Sequence, residues 1–429
     1  MTGAKYVARP WSCRDFDEDD CRQQVQESLK EHYNTAYDCL FLSAASTGAR
    51  EGLLLAAYHS GDIRIFNWQR LCSTWLSSRA QQGHELSLAA HAGPVYALTL
   101  LDSPEHGLLL ATAGDDGFVQ IWRVADILAA AAAAAAGADN GSSAAAGQAT
   151  AAAAAALRPA AAVQVPHVQN CLGISDGSQP AAQALAADQQ QQQLFVGASD
   201  GGVHLLDVPR LLAAAAGQAA AAAASCLVPL TSHVAAVLAL DYCAATQQLA
   251  SGSEDGTVRL YDVPSRRCAS IIHLQEELLL QEADLAELLR CAKSPPVTCV
   301  KFDQGGHWLV AGSGAAGLGG EQQGSLTLWN CSLNSAAKHR SIGKCMPQVL
   351  VLTPSTVYVA GTSKQVHTYS FQLEEARSLD VGAESVFGIA VDAESGMLAV
   401  CGAKACIDLL SAQGATLGVV RPAASVLMS

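Results

Sequence analysis

Short apolar runs alternate with clusters of Gly, Asp and Ser along most of this chain. The runs at residues 108–112, 194–196, 308–311, 357–360 and 397–400 are of strand type. Each is followed, across a few turn-forming residues, by a second short run in which apolar and polar positions alternate. After Gly61 come Ile63, Ile65 and Phe66, and after Gly256 come Val258, Leu260 and Tyr261. Two such runs separated by Gly, Asp or Ser predict a β-hairpin.

The hairpin recurs seven times. Its second strand opens after Gly61, Gly117, Gly201 and Gly256, and in weaker copies after Gly324, Lys364 and Lys404. The last three anchors stand forty residues apart, the length of one four-stranded blade. The repeat predicts an all-β chain, a seven-bladed β-propeller of the WD40 type. Because each blade buries its faces only against its neighbours, the ring is expected to be one cooperative unit in spite of its length of 429 residues. The predicted organisation is an acidic helical segment at 1–35, the propeller at 36–421 and a tail at 422–429.

Gaps longer than one blade, such as the 84 residues between Gly117 and Gly201, require insertions. Two are visible as alanine-rich sequence, at 129–162 and 213–224, and are expected to be surface loops or loose helices. Alanine favours helix, but a helix without a packed apolar face is marginal in water. A third insertion, 275–291, reads as a helix. Leu278, Leu285 and Leu289 approximate one apolar stripe, and Glu276, Glu277, Asp284 and Glu287 load the other side. It is either a lid on its own propeller or a docking element. At the other end, the acidic run 15–20 leads into a helical period over 21–29, with Trp11 and Phe16 as candidate docking residues.

Composition narrows the function. Half of the residues are apolar and only 15% are charged, which suits a large core. A net charge of −14 without any basic run argues against a surface that coats nucleic acid. The fourteen cysteines form no Cys-x-x-Cys and sit mostly in strand-like runs, where a free thiol acts as a small hydrophobe. No leader is apparent, so a reducing compartment is expected, with the sequons at Asn140 and Asn330 idle. The alanine runs lack the Leu, Ile and Phe content of a membrane span.

Two blades carry polar residues at positions that predict a buried relay. In blade two these are His91, Thr112, Asp116 and Trp122; in blade four they are His233, Ser251, Asp255 and Tyr261. Asp can orient the imidazole, which bonds the hydroxyl and reaches the aromatic donor, so each buried polar group is satisfied. The set has the residue types of a hydrolytic triad, but in this repeat it reads as structure. Two further matches are decoys. Gly-x-Ser-x-Gly occurs at 173–177 and 197–201, yet a nucleophile elbow needs a following helix, and a strand follows Gly201. Residues 312–317 fit a dinucleotide fingerprint, but more glycine and a strand come next, which predicts a long flexible hairpin loop. No catalytic residue, cofactor, metal or small-molecule substrate is expected.

The runs 90–97 and 114–122 resemble the second blade of the THO complex subunit 6 family. Residues 385–390 and 406–417 are similar to its final blade and closing strand, and 15–30 to its acidic opening. The resemblance covers the chain end to end, apart from the alanine insertions and the segment near 275–290. It implies a non-catalytic subunit of the nuclear THO/TREX assembly, in mRNA processing and export, docked on the coiled-coil subunits five and seven, with RNA contacted only through partners. An alternative is a substrate receptor of a cullin-RING ubiquitin ligase. Such propellers dock through Trp-Asp-x-Arg, and here residues 261–264 and 206–209 depart from it by placing Pro264 and Pro209 in the arginine position.

Overall fold

The computed structural model describes residues 34–43, 52–68, 85–139, 157–167, 179–217, 226–230, 233–274, 294–316 and 322–420. Twenty-eight strands pair in order into seven antiparallel four-stranded sheets. The first strand of each sheet packs beside the first strand of the next, and the last of these, Val386–Val391, returns to the first, Ala36–Leu42. The seven sheets are therefore blades around an axis, each running from an inner to an outer strand. All four strands of every blade are consecutive in sequence, so blades one and seven meet through side chains and not through a shared strand. Tyr58 Oη donates to Ala405 O at 2.8 Å across that junction, and Cys39 Sγ to Ala399 O at 3.5 Å.

The core is divided in the same way. Seven apolar clusters each fill one interface between neighbouring blades, from Leu55, Ile63 and Leu110 between blades one and two to Tyr58, Ile407 and Leu409 between seven and one. The central strands of a blade are covered on both faces. This explains why the second strands, such as Leu53–Tyr58 with every residue buried, read as continuous apolar runs. The outer strand Glu375–Asp380 is mostly exposed and carries charge at both ends, which discourages pairing with a further strand.

Side chains also clamp one blade to the next. Asp38 Oδ2 accepts the N–H of Leu98, and Asp241 accepts both the N–H of Phe302 and the Lys301 ammonium, at 2.6–2.8 Å. Gln189 of blade three bonds the backbone of Asp102 and Leu100 in blade two, each at 2.8 Å.

The tight turns before the third strands explain the glycine anchors. Gly61, Gly117, Gly201 and Gly256 all have φ between +74° and +87°. At Gly201 a Cβ would also stand 2.5 Å from the carbonyl oxygen of His233 in the loop that enters blade four. Only glycine fits both the left-handed backbone and the close approach.

Two expectations need correction. The tract 129–162 is not merely an insertion, because Ala161–Gln164 is the outer strand of blade two, with Ala161 paired to Ile121. Nor does the helical part of this region float free: helix α1, Val124–Asp139, sets Val124 and Ile127 fully into the core between blades one and two. The tract 213–224 overlaps the end of helix α2, Val208–Ala215, whose Leu211 and Leu212, just before the tract, are buried between blades two and three. Lastly, the glycine-rich run after residue 312 is not a long loop. Strands Trp308–Ala316 and Gln322–Asn330 stay paired up to Ala316 and Gln322.

Candidate functional site: the buried relays and the channel rim

The bonds among His, hydroxyl and Asp form in both blades. His91, in the loop entering blade two, places Nδ1 2.9 Å from Asp116 Oδ1 and Nε2 2.8 Å from Thr112 Oγ1. Because a carboxylate only accepts, Nδ1 carries the proton and Nε2 takes the threonine hydroxyl proton. The Thr112 oxygen is then free to accept the Trp122 indole N–H at 3.4 Å. Asp116 also accepts the N–H groups of Ala92 and Phe118, each at 3.1 Å. Burial opposes its ionisation, yet these donors hold its carboxyl below the ordinary range.

Blade four repeats the arrangement. His233 lies 2.9 Å from Asp255 and 2.6 Å from Ser251. Thr257, which the sequence pattern did not single out, adds its hydroxyl to Asp255 at 2.6 Å. Asp255, although half-buried, is held well below the usual carboxylate range by His233, Thr257 and the N–H of Val234. Burial pushes the His233 imidazole down, against the pull of Asp255. Tyr261 takes the place of Trp122 and is fully buried between blades three and four.

These groups pin the entering loop and the turn of one blade together. The histidine side chains are wholly buried, so no substrate reaches them. The second Gly-x-Ser-x-Gly match runs from strand Gln193–Ala198 through a turn into strand Val203–Asp207, and Ser199 Oγ accepts the N–H of Ala181 at 2.9 Å. The first match, at 173–177, lies outside the described residues, as do Trp11, Phe16, Leu278, Leu285 and Leu289. Asp207 and Asp262, the acidic residues of the two ligase-motif candidates, serve their own turns: Asp207 caps helix α2 by accepting Arg210 N–H, and Asp262 accepts Ser265 N–H. None of the nine cysteines among the described residues forms a disulfide, and no cluster able to hold a metal occurs among the described residues. No helix among them is long and apolar enough to cross a membrane.

Two surface features escaped the sequence pattern. One is a groove of about 490 Å³ between α1 and α2, lined by Glu105, His106, Arg123, Asp126, Arg158 and Leu212. The other is the channel rim. Near its start each inner strand carries one extra residue, a bulge that breaks the pairing register in all seven blades. In blades seven, one and two the extra residues are Phe387, Tyr37 and Tyr96, and their rings touch. In blades three to six they are Gln183, Leu238, Thr298 and Gln348. Seven aligned bulges would have been the signal, but a bulge has no residue signature of its own.

This geometry defines a seven-bladed β-propeller built of WD40 repeats. The family model described as WD domain, G-beta repeat, matches residues 83–123, 224–262 and 286–330, which include the relay histidine, hydroxyl and aspartate of both blades. Along its whole length the chain is similar to THO complex subunit 6 of Arabidopsis thaliana, with 20% identity over 413 residues, 95% of this chain and 97% of that protein.

Proposed function

We propose that this chain is a non-catalytic scaffold subunit of a THO/TREX-type assembly, acting in mRNA processing and nuclear export through protein–protein contacts. The observation that carries the reading is the extent of the match to THO complex subunit 6: it covers 95% of this chain and is not confined to the three segments that match the WD40 family model. The physics is consistent with it. The polar groups that resemble a triad are consumed in pinning blades, and an acidic ring leaves RNA contact to basic partners. Its partners are then the coiled-coil THO subunits five and seven, and its location is the nucleus.

Affinity purification of tagged chain from nuclear extract, with and without nuclease, tests this. Recovery of THO coiled-coil subunits in both arms is the expected result. Recovery that nuclease abolishes would replace direct docking by tethering through RNA. Recovery of a cullin-RING adaptor without any THO subunit would overturn the reading in favour of a ligase receptor.

A further inference from the structure

We infer that the aromatic sector of the channel rim is a receptor for a cationic side chain, lysine or arginine, presented by a partner polypeptide. Tyr37 is the centre of the sector. Its ring lies 5.3 Å from Tyr96 in an edge-on arrangement and 5.6 Å from Phe387. All three rings are partly exposed, whereas Tyr58, Phe66 and Phe195 are completely buried.

Bulges hold these rings at the rim, and the hydroxyls of the two tyrosines tie those rings to the turns of their own blades. Tyr96 Oη donates to Asp115 Oδ1 at 3.0 Å, and Tyr37 Oη lies 3.2 Å from His59 Nδ1. The rings are therefore oriented before any ligand arrives, which lowers the entropy lost on binding.

Charge decides what such a surface accepts. Ring faces are the negative ends of their quadrupoles, and a cation within about 6 Å of a ring centroid is attracted. Asp115 is exposed and adds a full negative charge beside Tyr96, whereas its neighbour Asp116 is spent on the relay. The chain as a whole carries −14. An anion would be repelled by this sector, and a neutral apolar group would gain nothing from the carboxylate. Lys404, the cation on the turn of blade seven, is bonded back to the Gly382 carbonyl. This inference does not depend on THO membership, since it follows from the rim alone.

Saturation-transfer difference NMR on the full-length chain tests it, with blocked pentapeptides Gly-Gly-X-Gly-Gly in which X is arginine, lysine or norleucine. Transfer to the arginine or lysine side-chain protons is expected, and none to norleucine. Asp115→Asn changes an exposed residue and leaves the fold intact, yet it is expected to weaken that transfer roughly two- to fivefold, as is Tyr96→Leu. Equal transfer to norleucine would overturn the inference. So would cation-dependent transfer that survives in both variants, because that would reflect only the overall acidity of the chain.

Discussion

His91 Nε2 stands 2.8 Å from Thr112 Oγ1, and the same hydroxyl accepts the Trp122 indole, so one threonine oxygen joins the entering loop of blade two to its third strand. Replacing His91 by Ala removes the imidazole partner of both Thr112 and Asp116. A loss of about 1–3 kcal/mol is expected in urea unfolding. An unchanged midpoint would show that the relay adds nothing to stability.

Blade five provides the natural contrast. Trp329 occupies the position of Trp122, but Ala311 stands where Thr112 does, and the buried Trp329 indole N–H finds no acceptor among the described residues. Trp→Phe removes similar apolar area at both sites. It breaks a hydrogen bond only at Trp122, so Trp122→Phe should cost about 1 kcal/mol more than Trp329→Phe. Equal costs would mean that the 3.4 Å indole bond contributes little.

How much of this was readable beforehand depended on the kind of signal. The glycine anchors were legible because Gly61, Gly117, Gly201 and Gly256 have a steric reason that no other residue satisfies. The relay was legible because the hydroxyl, the Asp and the aromatic keep the same spacing in both blades, after a His in the entering loop. The outer strand Ala161–Gln164 was not: alanine disfavours strands, and only its place beside Phe118–Arg123 makes it one. Helix α2 was hidden for a related reason, since Leu211 and Leu212 give it too little sequence to show a helical period. The rim aromatics Tyr37, Tyr96 and Phe387 come from blades far apart in sequence, and ring closure alone brings the first and last together.

Acid should destabilise the fold in two steps. Burial lowers the imidazole of His233, and that of His204, which is fully buried with neither ring nitrogen bonded among the described residues. The unfolded chain, with histidine near 6.5, therefore takes up these protons first. Stability is full above about 6.5 and declines as pH falls below it. Asp116 and Asp255, held low in the folded state, add a second decline in the carboxylate range. His204→Leu should flatten the first step when urea midpoints are compared at neutral and mildly acidic pH. A variant with the same acid loss as the wild type would assign that step elsewhere.

Gly201 combines φ +86° with a Cβ position 2.5 Å from the His233 carbonyl oxygen. Gly201→Ala should therefore cost more than the roughly 1–2 kcal/mol of the left-handed conformation alone. Thermal unfolding reads this directly, and a loss well under 1 kcal/mol would mean that the turn relaxes.

Helix α1 should be stabilising through its first turn and nearly neutral along the alanines. Ile127 is fully buried between blades one and two, whereas Ala132 is exposed. Ile127→Ala is expected to lose about 2–5 kcal/mol, and Ala132→Ser to stay within about 0.5 kcal/mol of wild type. Equal effects would contradict the docking of this helix.

Size-exclusion chromatography with light scattering tests the central claim most directly, using purified chain mixed with a recombinant coiled-coil pair of THO subunits five and seven, without nucleic acid. Co-elution as a single stoichiometric species is the result this account predicts. Separate elution at micromolar concentrations, with the chain shown to be folded, would contradict it.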